Sequence, residues 1–545
     1  MPTGVPILEF KHSTRRRHAL LQEPALMVGV ILVIVTGLSL KGGAATNLPT
    51  LWTAGGLSAG SDSAGQAARV TADASGNVAV VSGPSGGRDL AVTSYATDGT
   101  FRWQSTVTPS LGVFIGDWVV AAPNGDFIAI GHNVNSRGQS IASTMVRYST
   151  NGALLWRVDF SASFFPSIGR VVVDAAGNAY LVWSAVGSGL FVQKYSPTGA
   201  LLWSQGDSTG SGFAVATSLV LSPDGTDVVA TGSVSGGATW ITAVYSAATG
   251  VRRWQVAAAE GTAARDVVVD AARVYVTGQG VTGAGTPALA YHLTVVAYDR
   301  NTGARLWRKD KTPADGTSAT GLRIDRAPDG SLVVTGQASR GFLDWYTVAF
   351  DTTGAVRWEA VRDGGLNTDE IPRAVLVLAD GTTVVTGTGG PNLPGGFIPG
   401  VTAGYSPTGT LLWEAFSNQA TVWATALPNG NVCATGGYDA LITCWVPPSL
   451  QSAPTAPTNL VASSPAVARI SLTWQNTATD ATSISVERCR GRLCTAFAQV
   501  VRIGSTTRAW TDSSVVSGAT YRYRLRANSA AGNSPYSNIA RAKAR

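Results

Sequence analysis

Enzyme chemistry needs side chains that move protons, attack or hold a metal, and this sequence offers few of them. Of its four histidines, His12 and His18 fall in the first 45 residues, which leaves His132 and His292. Each stands alone in its own repeat, without the partner a general base needs at hydrogen-bonding distance, so neither is expected to be catalytic. No GxSxG, HExxH, Walker or Rossmann motif sits between a strand and a helix, where it would have meaning. The Gly-rich stretch GTGGPNLPGG at 387–396 has no following helix on which to seat a phosphate. The four cysteines form two local pairs, Cys433 with Cys444 and Cys489 with Cys494, each across an expected hairpin. CRGRLC is not CxxC, and no His-rich segment completes a zinc site. Each pair is therefore expected to be a disulfide in an oxidising compartment, with free buried thiols as the alternative. No catalytic, cofactor-binding or metal-binding residue is expected.

The strongest pattern is a repeat. One phrase recurs seven times: YATDGTFRW, YSTNGALLW, YSPTGALLW, YSAATGVRRW, YDRNTGARLW, FDTTGAVRW and YSPTGTLLW, ending at Trp103, Trp156, Trp203, Trp254, Trp307, Trp358 and Trp413. A second phrase, of the type VVVDAAGNAYLV or LVLSPDGTDVVATG, alternates with it in eight copies. Each unit reads as four strands, joined by Asp-Gly or Asn-Gly turns that supply positive φ and by loops of variable length. Four antiparallel strands per unit match a propeller blade, and the absence of helical periodicity excludes a helical solenoid.

The last unit, 424–446, has three strands and no Trp-bearing fourth, while LPTLW near the N-terminus, with Trp52, is a fourth strand without a unit. Joining them closes a ring and removes two open edges. The expectation is an all-β chain with an eight-bladed β-propeller over 46–446. Seven blades is the alternative if the last unit is degenerate. Trp52, Trp103, Trp156, Trp203, Trp254, Trp307, Trp358 and Trp413 are read as packing wedges between neighbouring sheets, with the glycine four residues earlier allowing close approach.

The Tyr-x-x-x-Thr-Gly-x-x-x-Trp phrases resemble the tryptophan-docking motif of quinoprotein (PQQ-like) propellers, and the second phrase resembles the SBBP repeats of bacterial secreted propellers. The resemblance covers residues 50–446. A working quinoprotein would, by that resemblance, need calcium ligands, a catalytic Asp and two adjacent cysteines. No two cysteines are adjacent here, so no PQQ and no redox activity are expected.

A Pro/Ser/Thr-rich linker at 447–457 precedes ISLTWQN, SISVERC, AWTDSSV and TYRYRLRANSAAGNSPYSN over 458–545. These strand phrases resemble a bacterial fibronectin type III domain, an immunoglobulin-like β-sandwich. The resemblance implies that Trp474 and Tyr521 or Tyr523 fill its core, and that the domain is a spacer or docking unit.

Residues 1–45 place Arg15, Arg16 and Arg17 before an apolar run, Ala25 to Leu40, and a small-residue stretch. That order is a signal peptide, with an uncleaved membrane anchor as the alternative, and a secreted or extracytoplasmic location is expected. The formal charge of +7 divides unevenly. Residues 455–545 carry twelve basic and three acidic residues, whereas 46–454 carry 23 and 28, so a nucleic-acid surface is not expected. Variable loops share one end of the sheets, and binding residues concentrate on such loops. The candidate binding face there comprises Phe164 and Phe165 in one loop and Asp363, Asp369 and Glu370 in another. Together these readings give a monomeric, non-catalytic extracellular binding or scaffold protein. Its expected partner is a protein or polysaccharide at the cell surface, and its only membrane contact is through the N-terminal segment. The alternatives are a secreted carbohydrate-active or degenerate quinoprotein-type enzyme, and an envelope assembly factor.

Overall fold

The structure, a computed structural model, describes residues 46–545 apart from 48–49, 55–68, 83–88, 109–111, 136–138, 162–166, 185–188, 208–212, 236–238, 284–288, 365–367, 390–398, 418–420, 437–440, 448–453, 479–480 and 530–531. The expected signal peptide or anchor, and the loop bearing Phe164 and Phe165, lie outside the described residues. Among the described residues there is no helix, and so none long and apolar enough to cross a membrane.

The repeat units form sheets of consecutive antiparallel strands. The first contains Arg69–Ala72, Val78–Ser82, Leu90–Tyr95 and Phe101–Val107. Six further sheets follow with the same order, each beginning with its innermost strand: Val113–Ala121, Ser167–Val173, Phe213–Leu221, Gly261–Val269, Ala319–Arg326 and Ile371–Val377. The last unit supplies Thr421–Ala426, Val432–Gly436 and Ile442–Trp445, and Thr50–Ala54 pairs antiparallel to Ile442–Trp445 as the fourth strand. Thr46–Asn47 adds a short parallel pairing to Leu411–Ser417.

Each innermost strand touches the next, and Thr421–Ala426 touches Arg69–Ala72, which closes a β-propeller. A separate apolar cluster fills every gap between neighbouring sheets. Val81, Phe127 and Tyr148 lie between the first two, and Val70, Leu427 and Cys444 lie where the last meets the first. Cys433 and Cys444 are directly opposed across their hairpin, buried and joined by a disulfide; Cys489 and Cys494 form the second.

The tryptophan phrase works between sheets. The Trp103 ring lies on Gly152 of the next unit, where a Cβ would come within 2.7 Å of it and where φ is +85°. Only glycine suits both conditions. Trp52, Trp156, Trp203, Trp254 and Trp358 lie in the same way on Gly99, Gly199, Gly250, Gly303 and Gly409. The indole N–H groups of Trp52, Trp103, Trp156, Trp203, Trp254 and Trp307 donate to a carbonyl of that next turn. Each glycine therefore serves the tryptophan of the preceding unit, not the one four residues later in its own phrase. Trp413 differs. The following unit has no such turn, and the Trp413 ring is fully buried against Gly404 of its own sheet with its indole N–H unpaired.

Residues 454–545 form a two-sheet sandwich. Thr458–Ser463, Ile470–Gln475 and Ala509–Asp512 make one sheet. Ala498–Gly504, Ser483–Arg490 and Thr520–Ser529 make the other, which Ala540–Lys543 extends. Leu472 and Trp474 from the first meet Val486, Tyr523 and Leu525 from the second.

Candidate functional site

The innermost strands place one equivalent residue each, four positions before the first tight turn, around the propeller axis. Read around the ring these are Arg69, Trp118, Arg170, Ser218, Asp266, Arg323, Ala374 and Trp423. In seven of the eight strands the pairing register slips just before this residue, so a bulge inserts one extra residue: Asp117, Gly169, Thr217, Arg265, Leu322, Arg373 or Val422. Bulges re-aim side chains, and here they bring polar and charged groups to the axis of an otherwise apolar strand.

Contacts between non-adjacent sheets show that these residues converge. The Trp118 and Trp423 rings, separated by the first sheet, meet edge to face at 4.8 Å. The Arg69 guanidinium lies 4.8 Å from the Trp118 centroid and 4.2 Å from that of Trp423. Arg170 approaches Trp118 at 5.1 Å and Arg323 approaches Trp423 at 5.4 Å. Arg170 also reaches Asp266, two sheets away, at 3.7 Å. Guanidinium groups thus cover the tryptophan rings, an arrangement that holds planar cations in fixed orientation.

Five arginines against three aspartates leave the axis cationic. Arg69 donates to the Asp117 carbonyl at 3.2 Å, and Arg323 donates to the carbonyls of Arg373 at 3.1 Å and Leu322 at 2.9 Å. The Arg265 and Arg373 guanidinium groups form no hydrogen bond or ion pair with described residues. Burial, followed by repulsion from Arg323, pushes the Arg69 guanidinium down to about 9. Arg323, Arg265 and Arg373 are lowered too, burial being the largest cause for each. An arginine stays charged at neutral pH even so; burial is the main cause of the depression, and for Arg69 the repulsion from Arg323 adds to it. Asp325, two residues along from Arg323, is raised to about 6, chiefly by burial. Asp266 is buried and committed to the Ser218 hydroxyl at 2.7 Å and the Val267 amide at 3.0 Å.

The residues singled out from sequence are distributed differently. Asp363 and Asp369 are exposed on the variable-loop side, Asp369 accepting from the Leu343 amide at 3.0 Å. Glu370 is a correction to the acidic cluster: it is buried and takes Arg362 at 2.8 Å, and Arg362 also holds Glu414 at 2.6 Å. Burial is the larger effect on the Glu370 carboxyl and raises it to about 7, against the pull of Arg362. His132 Nδ1 pairs with Asp117 at 2.8 Å. Burial opposes its charging, but Asp117 outweighs burial and raises its pKa. His292 pairs with the Thr282 hydroxyl at 2.8 Å. Among the described residues no three His, Cys, Asp or Glu side chains gather to hold a metal ion, and the cysteine pairs lie in hairpins of other regions.

The arginine ring escaped the sequence reading, although its signal was present. The recurring apolar phrase begins one residue after the axial position in seven units, so that position falls just outside the pattern.

Residues 188–390 match the family model described as outer membrane protein assembly factor BamB. No curated protein matches the chain in sequence. Among solved structures, the Dos1 propeller is similar with a TM-score of 0.51 and 8% identity, over 73% of this chain and 94% of its own. Quinohemoprotein alcohol dehydrogenase from Comamonas testosteroni is similar with a TM-score of 0.50 and 11% identity, over 73% of this chain and 76% of its own. At these identities the likeness is one of fold alone. It is the fold of a PQQ-like β-propeller.

Proposed function

We propose that the chain is an exported, non-catalytic binding protein: an eight-bladed propeller that takes an anionic group at its axis, joined to a fibronectin type III-like domain that spaces or docks it. The observation that carries this reading is the convergence of Arg69, Arg170, Arg265, Arg323 and Arg373, two of which have no partner among the described residues. Arg265 and Arg373 are exposed and free to meet a ligand, and arginine forks suit carboxylate or phosphate. The innermost strands run from the variable-loop side, so the bulge residues Arg265 and Arg373 lie nearest that opening, and that face is the proposed entrance. Two disulfides suit an oxidising compartment. The fibronectin type III-like reading is supported by buried Trp474 and by the Tyr521 hydroxyl, which accepts from the Val516 amide at 2.9 Å as in a tyrosine corner.

The test is a glycan and protein pull-down with the full chain, repeated with the double variant Arg265→Gln, Arg373→Gln. Anionic ligands retained by the parent and lost by the variant are expected. Failure of the variant to lose any anionic ligand that the parent retains, or chemical conversion of the retained ligand, contradicts the reading. A second reading, an envelope assembly factor, is favoured by the match of residues 188–390. It predicts membrane-assembly proteins in the pull-down, retained equally by parent and variant.

A further inference from the structure

The C-terminal sandwich carries a second set of arginines, arranged in a line. Strand Thr520–Ser529 reads TYRYRLRANS, and its period of two sends Tyr521, Tyr523, Leu525 and Ala527 into the core. Arg522, Arg524 and Arg526 are left on the outer face. Residues directly opposed across a strand pair share a face. Glu487 and Ser485 therefore join this face opposite Arg524 and Arg526, Arg502 joins opposite Ser485, and Arg541 joins opposite Arg522. Among the described residues, five arginines share it with a single carboxylate.

Two aromatic rings interleave with the central three arginines. Arg522 and Arg524 lie 5.8 and 4.4 Å from the Phe497 centroid. Arg524 and Arg526 lie 3.6 and 5.3 Å from that of Tyr536. The order along the face is Arg522, Phe497, Arg524, Tyr536, Arg526, a stack that fixes long side chains which would otherwise lose entropy on binding. Glu487 pairs with Arg524 at 2.7 Å and reaches Arg526 at 3.6 Å. Arg541 is exposed and forms no hydrogen bond or ion pair with described residues.

We propose that this face binds a linear acidic polysaccharide laid along strand Thr520–Ser529. Guanidinium groups on alternate residues repeat at about 6.8 Å, a one-dimensional row of planar forks that suits carboxylates carried on a chain. A single-stranded nucleic acid binds by stacking bases on open rings. Here Phe497 and Tyr536 are already faced by guanidinium groups. A bilayer presents a plane of charge, whereas Arg522, Arg524 and Arg526 form a single row along one strand, which suits a chain better than a sheet. The proposal is independent of the axial site.

The test passes the full chain over immobilised polygalacturonate at about 0.1 M salt, where exposed charges still act over about 10 Å. Arg541→Ser should lower affinity about two- to fivefold, the range of an exposed ion pair, without changing the melting temperature. Glu487→Gln should raise affinity, because it removes the competing carboxylate, and every protein compared carries Arg265→Gln and Arg373→Gln, so that the axial site does not contribute. If Glu487→Gln does not fold, Arg541→Ser alone decides. Unchanged retention on adding Arg541→Ser overturns the proposal, as does weaker binding by a folded Glu487→Gln protein. Tighter binding to single-stranded DNA or to phosphatidylglycerol vesicles than to polygalacturonate overturns it too.

Discussion

Arg69 illustrates how the axis is built. Its guanidinium lies between the Trp118 and Trp423 rings, which hold its orientation but supply no negative charge. Asp325 sets how cationic the axis is. Burial raises its carboxyl from 3.8 to about 6, with Asp266 adding to the rise and Arg170 opposing it. A carboxyl raised on folding favours the folded state fully below its unfolded value, and that contribution is lost as pH rises through about 6. Protonation also removes a negative charge beside the arginines. Affinity for sulfate, whose own charge is constant over this range, should therefore rise as pH falls from about 7.5 to about 5. Asp325→Asn should flatten that profile, and calorimetric titration at the two pH values checks it. The arginines were hard to read from sequence for a physical reason. An apolar strand pattern identifies what packs between sheets, whereas these side chains leave that packing at a bulge, which has no composition signal of its own.

At the scale of the element, the tryptophan phrase was legible because its chemistry is local and repeated, but its partner was not. Gly152 receives Trp103 from the preceding unit, a relation between sheets that spacing within one phrase does not reveal. Gly152→Ala should cost about 1–3 kcal/mol, since a side chain is forced into positive φ against an indole ring. Trp254 donates to the Arg300 carbonyl at 2.7 Å, whereas the indole N–H of Trp413 has no partner. Trp254→Phe should therefore destabilise the protein more than Trp413→Phe, by about the 0.5–1.5 kcal/mol of one hydrogen bond. Urea unfolding of both variants measures the difference, and equal losses would mean that ring volume alone matters. The inward turn of Glu370 was equally hidden, because its partner Arg362 lies across an irregular loop.

For the whole molecule, the pairing of Thr50–Ala54 with Ile442–Trp445 ties the two ends of the propeller together. Deleting residues 46–56 should expose that edge and the buried faces of Cys444 and Trp445, with aggregation or a large loss of melting temperature. A truncated protein that melts like its parent would show that the closure contributes little. The orphan strand and the three-strand unit were readable together, since a ring must match its first edge to its last. The charge distribution was readable only in total. The excess of arginine in the sandwich is organised by strand period, while the acidic propeller hides a cationic axis. That axis is the central claim, and calorimetric titration of tripolyphosphate into the parent and into Arg373→Gln at neutral pH tests it most directly. Binding at one site per chain is predicted, weakened about tenfold or more in the variant, because a charge-assisted hydrogen bond contributes about 1.5–3 kcal/mol. Equal affinity in the two proteins would contradict it.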